Sequence, residues 1–195
     1  MLVISCHADT GFDSCWLKRL GAGVMEGHLD NYTGVYSVMK AFFSGRLNQD
    51  YIRIELTYGE EDDFEGARAV RRTLRKHDLV LVVDVTGTPT AKDFVIEKCR
   101  NQALRGFLTA ALSGLSFDIY EGCPDPVACE DEVDIYSRKC DYVCFLGVPC
   151  FGGDYNAGPV RCREKSLECI AEAICKIAED FPEFCKRSGI PVGHV

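Results

Sequence analysis

The chain has 195 residues, of which 47% are hydrophobic, enough to bury one sizeable core in a single domain. The net charge is −8 and the only basic cluster spans residues 68–76, which argues against a nucleic-acid partner. No apolar stretch reaches the ~20 residues of a membrane helix, and residues 2–6 are too short for a signal-peptide core. We therefore expect a soluble, cytoplasmic protein that does not contact a membrane.

Short apolar runs alternate with amphipathic segments along the chain, which is typical of an α/β sandwich. The pattern predicts six strands, over 2–6, 52–58, 79–85, 94–97, 115–120 and 142–146. It predicts four helices, over 33–43, 64–77, 101–112 and 165–180, and one exposed loop over 121–132.

The twelve cysteines are spread along the chain without a Cys-x-x-Cys pair, and the closest two are Cys140 and Cys144. Zinc ribbons and iron–sulfur sites need tighter clustering, and a secreted disulfide framework would need a signal sequence. Cys169 and Cys175 fall at apolar positions of a helical pattern. We interpret the cysteines as reduced thiols that act as small hydrophobic side chains, which fits a reducing compartment.

Polar side chains follow two of the predicted strands. His7 and Asp9 come after the strand over 2–6, and alternation directs both to the same side of the chain. Asp84 ends the apolar run 79–83, which reads as a central strand buried on both faces. Open α/β sheets place their ligands at the carboxyl ends of such strands.

Two further acidic positions begin predicted helices. Asp30 precedes the helix over 33–43, where it serves either as an N-terminal helix acid or as a metal ligand. Glu60 and Glu61 open a run of five carboxylates within six residues, which repel one another unless a cation or helix amides compensate them. Together with His7, these hard donors predict a divalent-metal site.

Four segments carry a family resemblance: HADTGF at 7–12, GHLDNYTGV at 27–35, EEDDFEGARA at 60–69 and VVDVTG at 82–87. In this order they resemble the co-catalytic zinc exopeptidases, which include the deblocking, glutamyl and leucyl aminopeptidases. The resemblance runs from residue 2 to about residue 180. It implies a three-layer α/β/α sandwich with a mixed, mostly parallel central sheet.

The resemblance also implies a ligand set. His7 and Asp84 would bind one metal, Asp30 would bridge it to a second, and Glu61 would bind the second. Zinc is the expected metal, with manganese or cobalt as alternatives.

The same resemblance implies the chemistry. Glu60 would be the general base toward a metal-bridging water, and Asp9 would orient His7. We expect a metal-dependent exopeptidase, foremost an aminopeptidase of short peptides, with a carboxypeptidase or amide deacylase as near variants. A degenerate relative that binds one metal or none, as a binding or regulatory protein, is the alternative. An oligomer is possible.

The sequence departs from the family pattern at several points. Glu164 stands where the family has the last metal-binding histidine, so we expect it as a replacement ligand, with Asp154 and His194 as weaker candidates. Asp63 replaces a common glycine. The chain starts on the His-x-Asp strand, and only about twenty residues separate Asp9 from Asp30, where relatives insert an auxiliary domain. We expect residues 1–195 to form one trimmed catalytic domain.

Loops at the metal end of the sheet would select the substrate. We expect Asp131, Tyr155 and Arg161 to contact a small peptide there, since an acidic loop residue in relatives can hold the amino terminus of the substrate.

Overall fold

The computed structural model describes residues 1–127 and 130–193. Within these ranges the chain forms nine strands and five helices. The strands are β1 (Leu2–His7), β2 (Leu17–Gly21), β3 (Val24–Gly27), β4 (Ile52–Thr57), β5 (Leu79–Thr86), β6 (Phe94–Glu97), β7 (Phe117–Ile119), β8 (Tyr142–Phe151) and β9 (Val160–Arg163). The helices are α1 (Tyr32–Phe43), α2 (Glu65–Thr73), α3 (Gln102–Ala111), α4 (Glu132–Tyr136) and α5 (Glu164–Ser188).

Four parallel strands form the centre of the sheet, in the order β4-β1-β5-β8. Strand β6 pairs antiparallel with β8, and β7 pairs parallel with β6. The last residues of β8 pair with β9 instead, and β3 and β2 continue that side antiparallel. The expected mixed, mostly parallel α/β sheet is confirmed.

Helices cover both faces of this sheet. Along β5, Val80 and Val82 face the cluster formed with α2 and α4, while Leu81 and Val83 face the core shared with α1, α3 and α5. All eight residues of β5 are buried, because strands flank it and helices cover both its faces. The fold is the three-layer sandwich that the sequence predicted.

Helix α5 runs on to Ser188 although the pattern predicted an end at residue 180. Pro182 lies inside it and lacks the N–H that would bond the carbonyl of Ala178. The hydroxyl of Tyr51 donates to that carbonyl at 3.2 Å, so the break in the helical ladder is compensated. Gly189, in the left-handed conformation at φ +66°, ends the helix.

Other element boundaries also differ from the prediction. Helix α2 ends at Thr73 rather than residue 77, because Leu74 turns into an extended conformation and is buried in the core. Strand β8 continues to Phe151 because its last residues pair with β9. Strands β2, β3 and β9 and helix α4 were not predicted. Strand β2 is exposed along its whole length, so its sequence carries no alternation of apolar residues.

The cysteines of the described ranges are free, and most are buried, as expected of small apolar side chains. Among the described residues, no helix is long and apolar enough to cross a membrane.

Candidate metal centre

The imidazole of His7 lies between two carboxylates at the carboxyl end of the parallel sheet. Its Nε2 is 3.0 Å from Oδ1 of Asp30 and 3.2 Å from Oδ2 of Asp84. The side chain of His7 is only 1% exposed, and both acids are buried. The structure thus brings together residues that lie 77 positions apart along the chain.

Local backbone interactions fix each acid. Asp84 lies near the end of β5, and its Oδ1 accepts the N–H of Val85 at 2.7 Å. Asp30 precedes α1 through a cis peptide bond to Asn31. The side chain of Asn31 accepts the N–H of Gly34 and donates to the carbonyl of Val83, both at 2.9 Å, which ties the start of α1 to β5.

The donor set fits a divalent cation. Both ring nitrogens of His7 and the Oδ1 atoms of Asp9 and Asp30 are buried without a hydrogen-bond partner. Buried polar atoms normally have partners, and a cation placed among these atoms would supply one. Two ligand atoms at about 2.0–2.1 Å from a tetrahedral zinc lie about 3.3 Å apart, close to the observed separations. His7, Asp30 and Asp84 are therefore a suitable set of metal ligands.

Electrostatics points the same way. Burial by itself lowers the pKa of His7, but the carboxylates of Asp84 and Asp30 outweigh it and raise the pKa to about 12. Burial raises the pKa of Asp84, and the charge of Asp30 adds to this effect. A positive charge, either the imidazole proton or a metal ion, is needed to hold these acids together.

Glu60 and Glu61 reach the same imidazole from the turn between β4 and α2. Oxygens of both acids lie within 4.8 Å of a nitrogen of His7 and of each other. Burial, followed by the charge of Asp84, raises the pKa of Glu60 to about 8. Burial and the charge of Asp30 also raise the pKa of Glu61. A backbone hydrogen bond from Gly11 acts in the opposite direction and lowers it.

Asp9 connects His7 to that turn. Its Oδ1 lies 3.5 Å from Nδ1 of His7, and its Oδ2 accepts the N–H of Gly59 at 2.9 Å. Gly59 has a φ of +75°, a conformation that glycine adopts without strain. Asp9 therefore lies where it can orient both the imidazole and the loop that carries Glu60.

The structure does not bring Glu164 into this group. Glu164 begins α5, and its Oε1 lies 3.0 Å from Nε of Arg19 on β2. Its N–H donates to Gly23, at the end of β3 away from Asp30. Asp154 is exposed and accepts the N–H of Asn156. His194 lies outside the described residues.

A small acidic cavity of about 40 Å³ adjoins Asp30, Glu60 and Asp84. Tyr155 lines it and donates its hydroxyl to Oδ2 of Asp125 at 2.7 Å. The charged residues that line it within the described ranges are all acidic: Asp30, Glu60, Asp84, Glu97, Asp125, Glu130 and Asp131.

Sequence reasoning missed Glu97 and Asp125. Both are buried, at 1% and 8% exposure, and hydroxyl, thiol and backbone N–H groups donate hydrogen bonds to them. Glu97 accepts the hydroxyl of Thr86 at 3.0 Å, and Asp125 accepts the N–H of Gly87 at 2.6 Å. For Glu97 the available signal was its place at the end of the short apolar strand over 94–97, comparable to that of Asp84 near the end of β5.

The other two predicted substrate contacts have partners within the protein. Asp131 caps α4 by accepting the N–H of Val133, and its Oδ2 lies 2.9 Å from Nζ of Lys98, although it also lines the acidic cavity. Nε of Arg161 donates to Glu26 at 2.8 Å, away from the acidic cavity.

No protein-family model and no curated protein matches the sequence. Solved structures do match the fold. An aminopeptidase of the archaeon Desulfurococcus kamchatkensis superposes with a TM-score of 0.71 at 14% identity, over 94% of this chain and 55% of that one. A TET aminopeptidase of a marine-sediment archaeon of the Thaumarchaeota gives 0.70 at 13% identity, over 87% and 55%. The dodecameric PhTET1-12s gives 0.67 at 16% identity, over 84% and 53%.

The chain has the fold of these aminopeptidases. The expected resemblance to aminopeptidases is therefore confirmed at the level of the fold. The chain spans about half the length of the aminopeptidase structures that it matches.

Proposed function

We propose that this protein is a metal-dependent peptidase that removes residues from the amino end of short peptides. The observation that carries the proposal is the buried imidazole of His7, held between the carboxylates of Asp30 and Asp84 with Glu60 beside it. The aminopeptidase fold supports it.

His7, Asp30 and Asp84 would hold the metal. One imidazole and two carboxylates suit zinc, and the oxygen-rich set also suits manganese or cobalt. A bound divalent ion supplies Lewis-acid polarisation of a peptide carbonyl and a water of lowered pKa.

Glu60 would act as the general base. It lies on the turn beside His7, with a carboxylate oxygen within 4.8 Å of a ring nitrogen, close enough to reach a water at the proposed metal site. It would take a proton from the attacking water and deliver it to the leaving amine. Asp9 would hold the tautomer and orientation of His7 through Nδ1.

The acidic cavity favours an aminopeptidase over a carboxypeptidase. It is large enough for an ammonium group, and the charged groups that line it in the described residues are negative. A free amino terminus would be attracted there, whereas a peptide carboxylate would be repelled. Because PhTET1-12s is a dodecamer, we include self-association in the proposal.

Replacing the base tests the proposal. We expect Glu60→Gln to reduce kcat for Ala-Ala hydrolysis by about 10²–10⁴-fold while zinc binding persists, since the amide cannot accept the proton. Asp62→Asn is the matched control, because Asp62 is exposed in the same loop and changes charge equally. Hydrolysis at the wild-type rate in Glu60→Gln would exclude the proposed base.

A second candidate is a protein that binds one metal without hydrolysis. The ion pair of Glu164 with Arg19 favours it, because the proposed second metal then retains only Asp30 and Glu61 of the expected ligands. One tightly bound metal, with no hydrolysis of any dipeptide by the wild type, would support this candidate.

A further inference from the structure

A second cavity also borders Asp30. Its volume is about 360 Å³, a size common for ligand pockets. The segment between Asp9 and Asp30 builds one wall, and the first turns of α1 build the other. The side chains that give it an apolar character are Ala8, Trp16, Leu17, Tyr32 and Val35.

Aromatic packing shapes this wall. The ring of His28 lies 4.5 Å from that of Phe12 and 5.7 Å from that of Trp16, the latter edge-on. The backbone N–H of Trp16 donates to Nδ1 of His28 at 3.3 Å. Gly27 lets the strands approach, since a Cβ there would lie 2.2 Å from the carbonyl oxygen of Trp16.

The two cavities differ in chemistry and share Asp30. The apolar cavity has no lysine or arginine in its described lining, and the acids that reach it are Asp9 and Asp30 at the metal end. An acidic side chain would therefore be unpaired and repelled there, whereas an apolar side chain would bury surface against Trp16 and Val35.

We propose that the apolar cavity binds the side chain of the second residue of the substrate, and that the enzyme prefers peptides in which this residue is aliphatic or aromatic. The inference rests on the proposed function. With the amino terminus in the acidic cavity and the scissile carbonyl at His7, the leaving part of the peptide extends past Asp30 into the apolar cavity.

Dipeptide kinetics test the assignment. We expect the wild type to cleave Ala-Leu with a kcat/KM at least about tenfold above Ala-Asp, the range typical of apolar pockets. The ratio should fall several-fold in Trp16→Ala and recover in Trp16→Phe. Phe43→Ala, which removes a ring 76% exposed on α1 away from both cavities, is the control. A ratio unchanged by Trp16→Ala, or a Trp16-dependent preference at the first residue in Leu-Ala against Asp-Ala, would overturn the proposal.

Trp16 also provides a readout that does not require turnover. It is the single tryptophan of the chain, so its fluorescence reports occupancy of the apolar cavity directly. We expect zinc-loaded Glu60→Gln to show a saturable spectral shift with Ala-Leu at concentrations where Ala-Asp gives none. A spectral shift in Glu60→Gln, together with no dipeptide hydrolysis by the wild type, would support the side-chain pocket and reject the proposed peptidase activity. The absence of a shift, or equal shifts with both dipeptides, would reject the pocket.

Discussion

His7 faces the carboxylates of Asp9, Asp30 and Asp84, and none of these three forms an ion pair with a lysine or arginine among the described residues. Asp30 and Asp84 are buried, and buried acids normally have a cationic partner or lose their charge. The protonated imidazole can serve as that partner, and a metal ion replaces its proton because only the neutral ring binds metal. Metal binding and the ionisation of His7 are therefore linked.

The zinc content of single-residue variants shows which acids bind the metal and which do not. We expect Asp84→Asn to reduce bound zinc from about one ion per chain to a small fraction, because a charged ligand is lost. Glu164→Ala should leave zinc content unchanged, since Glu164 pairs with Arg19. Elemental mass spectrometry after zinc loading and desalting measures both. A zinc loss in Glu164→Ala equal to that in Asp84→Asn would restore Glu164 as a ligand.

Among the elements, the junction of α1 with β5 does most to place the candidate ligands. Asn31 caps the helix and bonds the carbonyl of Val83 next to Asp84, so Asp30 and Asp84 are held by one contact between a helix and a strand. Gly34 makes the contact possible, because a Cβ there would lie 2.3 Å from Oδ1 of Asn31 and 2.6 Å from the carbonyl oxygen of Val83.

Two glycine substitutions in helices should have opposite effects. We expect Gly34→Ala to destabilise the protein by about 1–3 kcal/mol through overpacking, and to weaken zinc binding by displacing Asn31 and Asp30. Gly106→Ala in α3 is the matched control, because a Cβ there meets nothing within 4 Å. It should stabilise by about 0.5–1 kcal/mol through helix propensity. Urea denaturation measures both, and a Gly34→Ala protein as stable as the wild type would contradict the argument.

Over the whole molecule, one buried carboxylate joins a helical layer to the sheet. Glu132 on α4 is 2% exposed and accepts the hydroxyls of Ser5 on β1, at 2.8 Å, and Thr57 on β4. Burial raises its pKa from the ordinary value of 4.5, although both hydroxyls oppose the shift. The folded protein therefore keeps a proton on Glu132 at pH values where the unfolded chain has lost it.

The sign of the resulting pH dependence follows from that proton. Above pH 4.5 the unfolded chain binds fewer protons at Glu132 than the folded protein, so this group lowers stability as pH rises. We expect the free energy of unfolding of Glu132→Gln, relative to wild type, to increase from pH 5 to pH 8. Urea denaturation at both values measures this difference. Glu65→Gln, exposed on α2, should show no such trend, and an equal difference at both pH values for Glu132→Gln would contradict the assignment.

The amino-acid sequence was sufficient for local features with a strong physical signal. The apolar run of β5 requires burial on both faces, which fixes it as a central strand and places Asp84 at its carboxyl end. The spacing of His7 and Asp9 likewise identifies two side chains on one side of the chain. The alternation of apolar runs with amphipathic segments predicted an α/β sandwich, and the resemblance carried by the four motifs implied its three layers.

Tertiary structure decided what depends on contacts between distant segments. The sequence of β2 has no alternation of apolar residues, so this segment becomes a strand only by pairing with β3. That pairing also builds the cavity wall that contains Trp16. Glu97 and Asp125 form an acidic cavity only because residues 28 positions apart meet beside Tyr155. The sequence predicted Glu164 as a metal ligand, but Glu164 follows β9 directly, and the pairing of β9 with β3 places it beside Arg19. Such register comes from the pairing of whole strands, which no local pattern encodes.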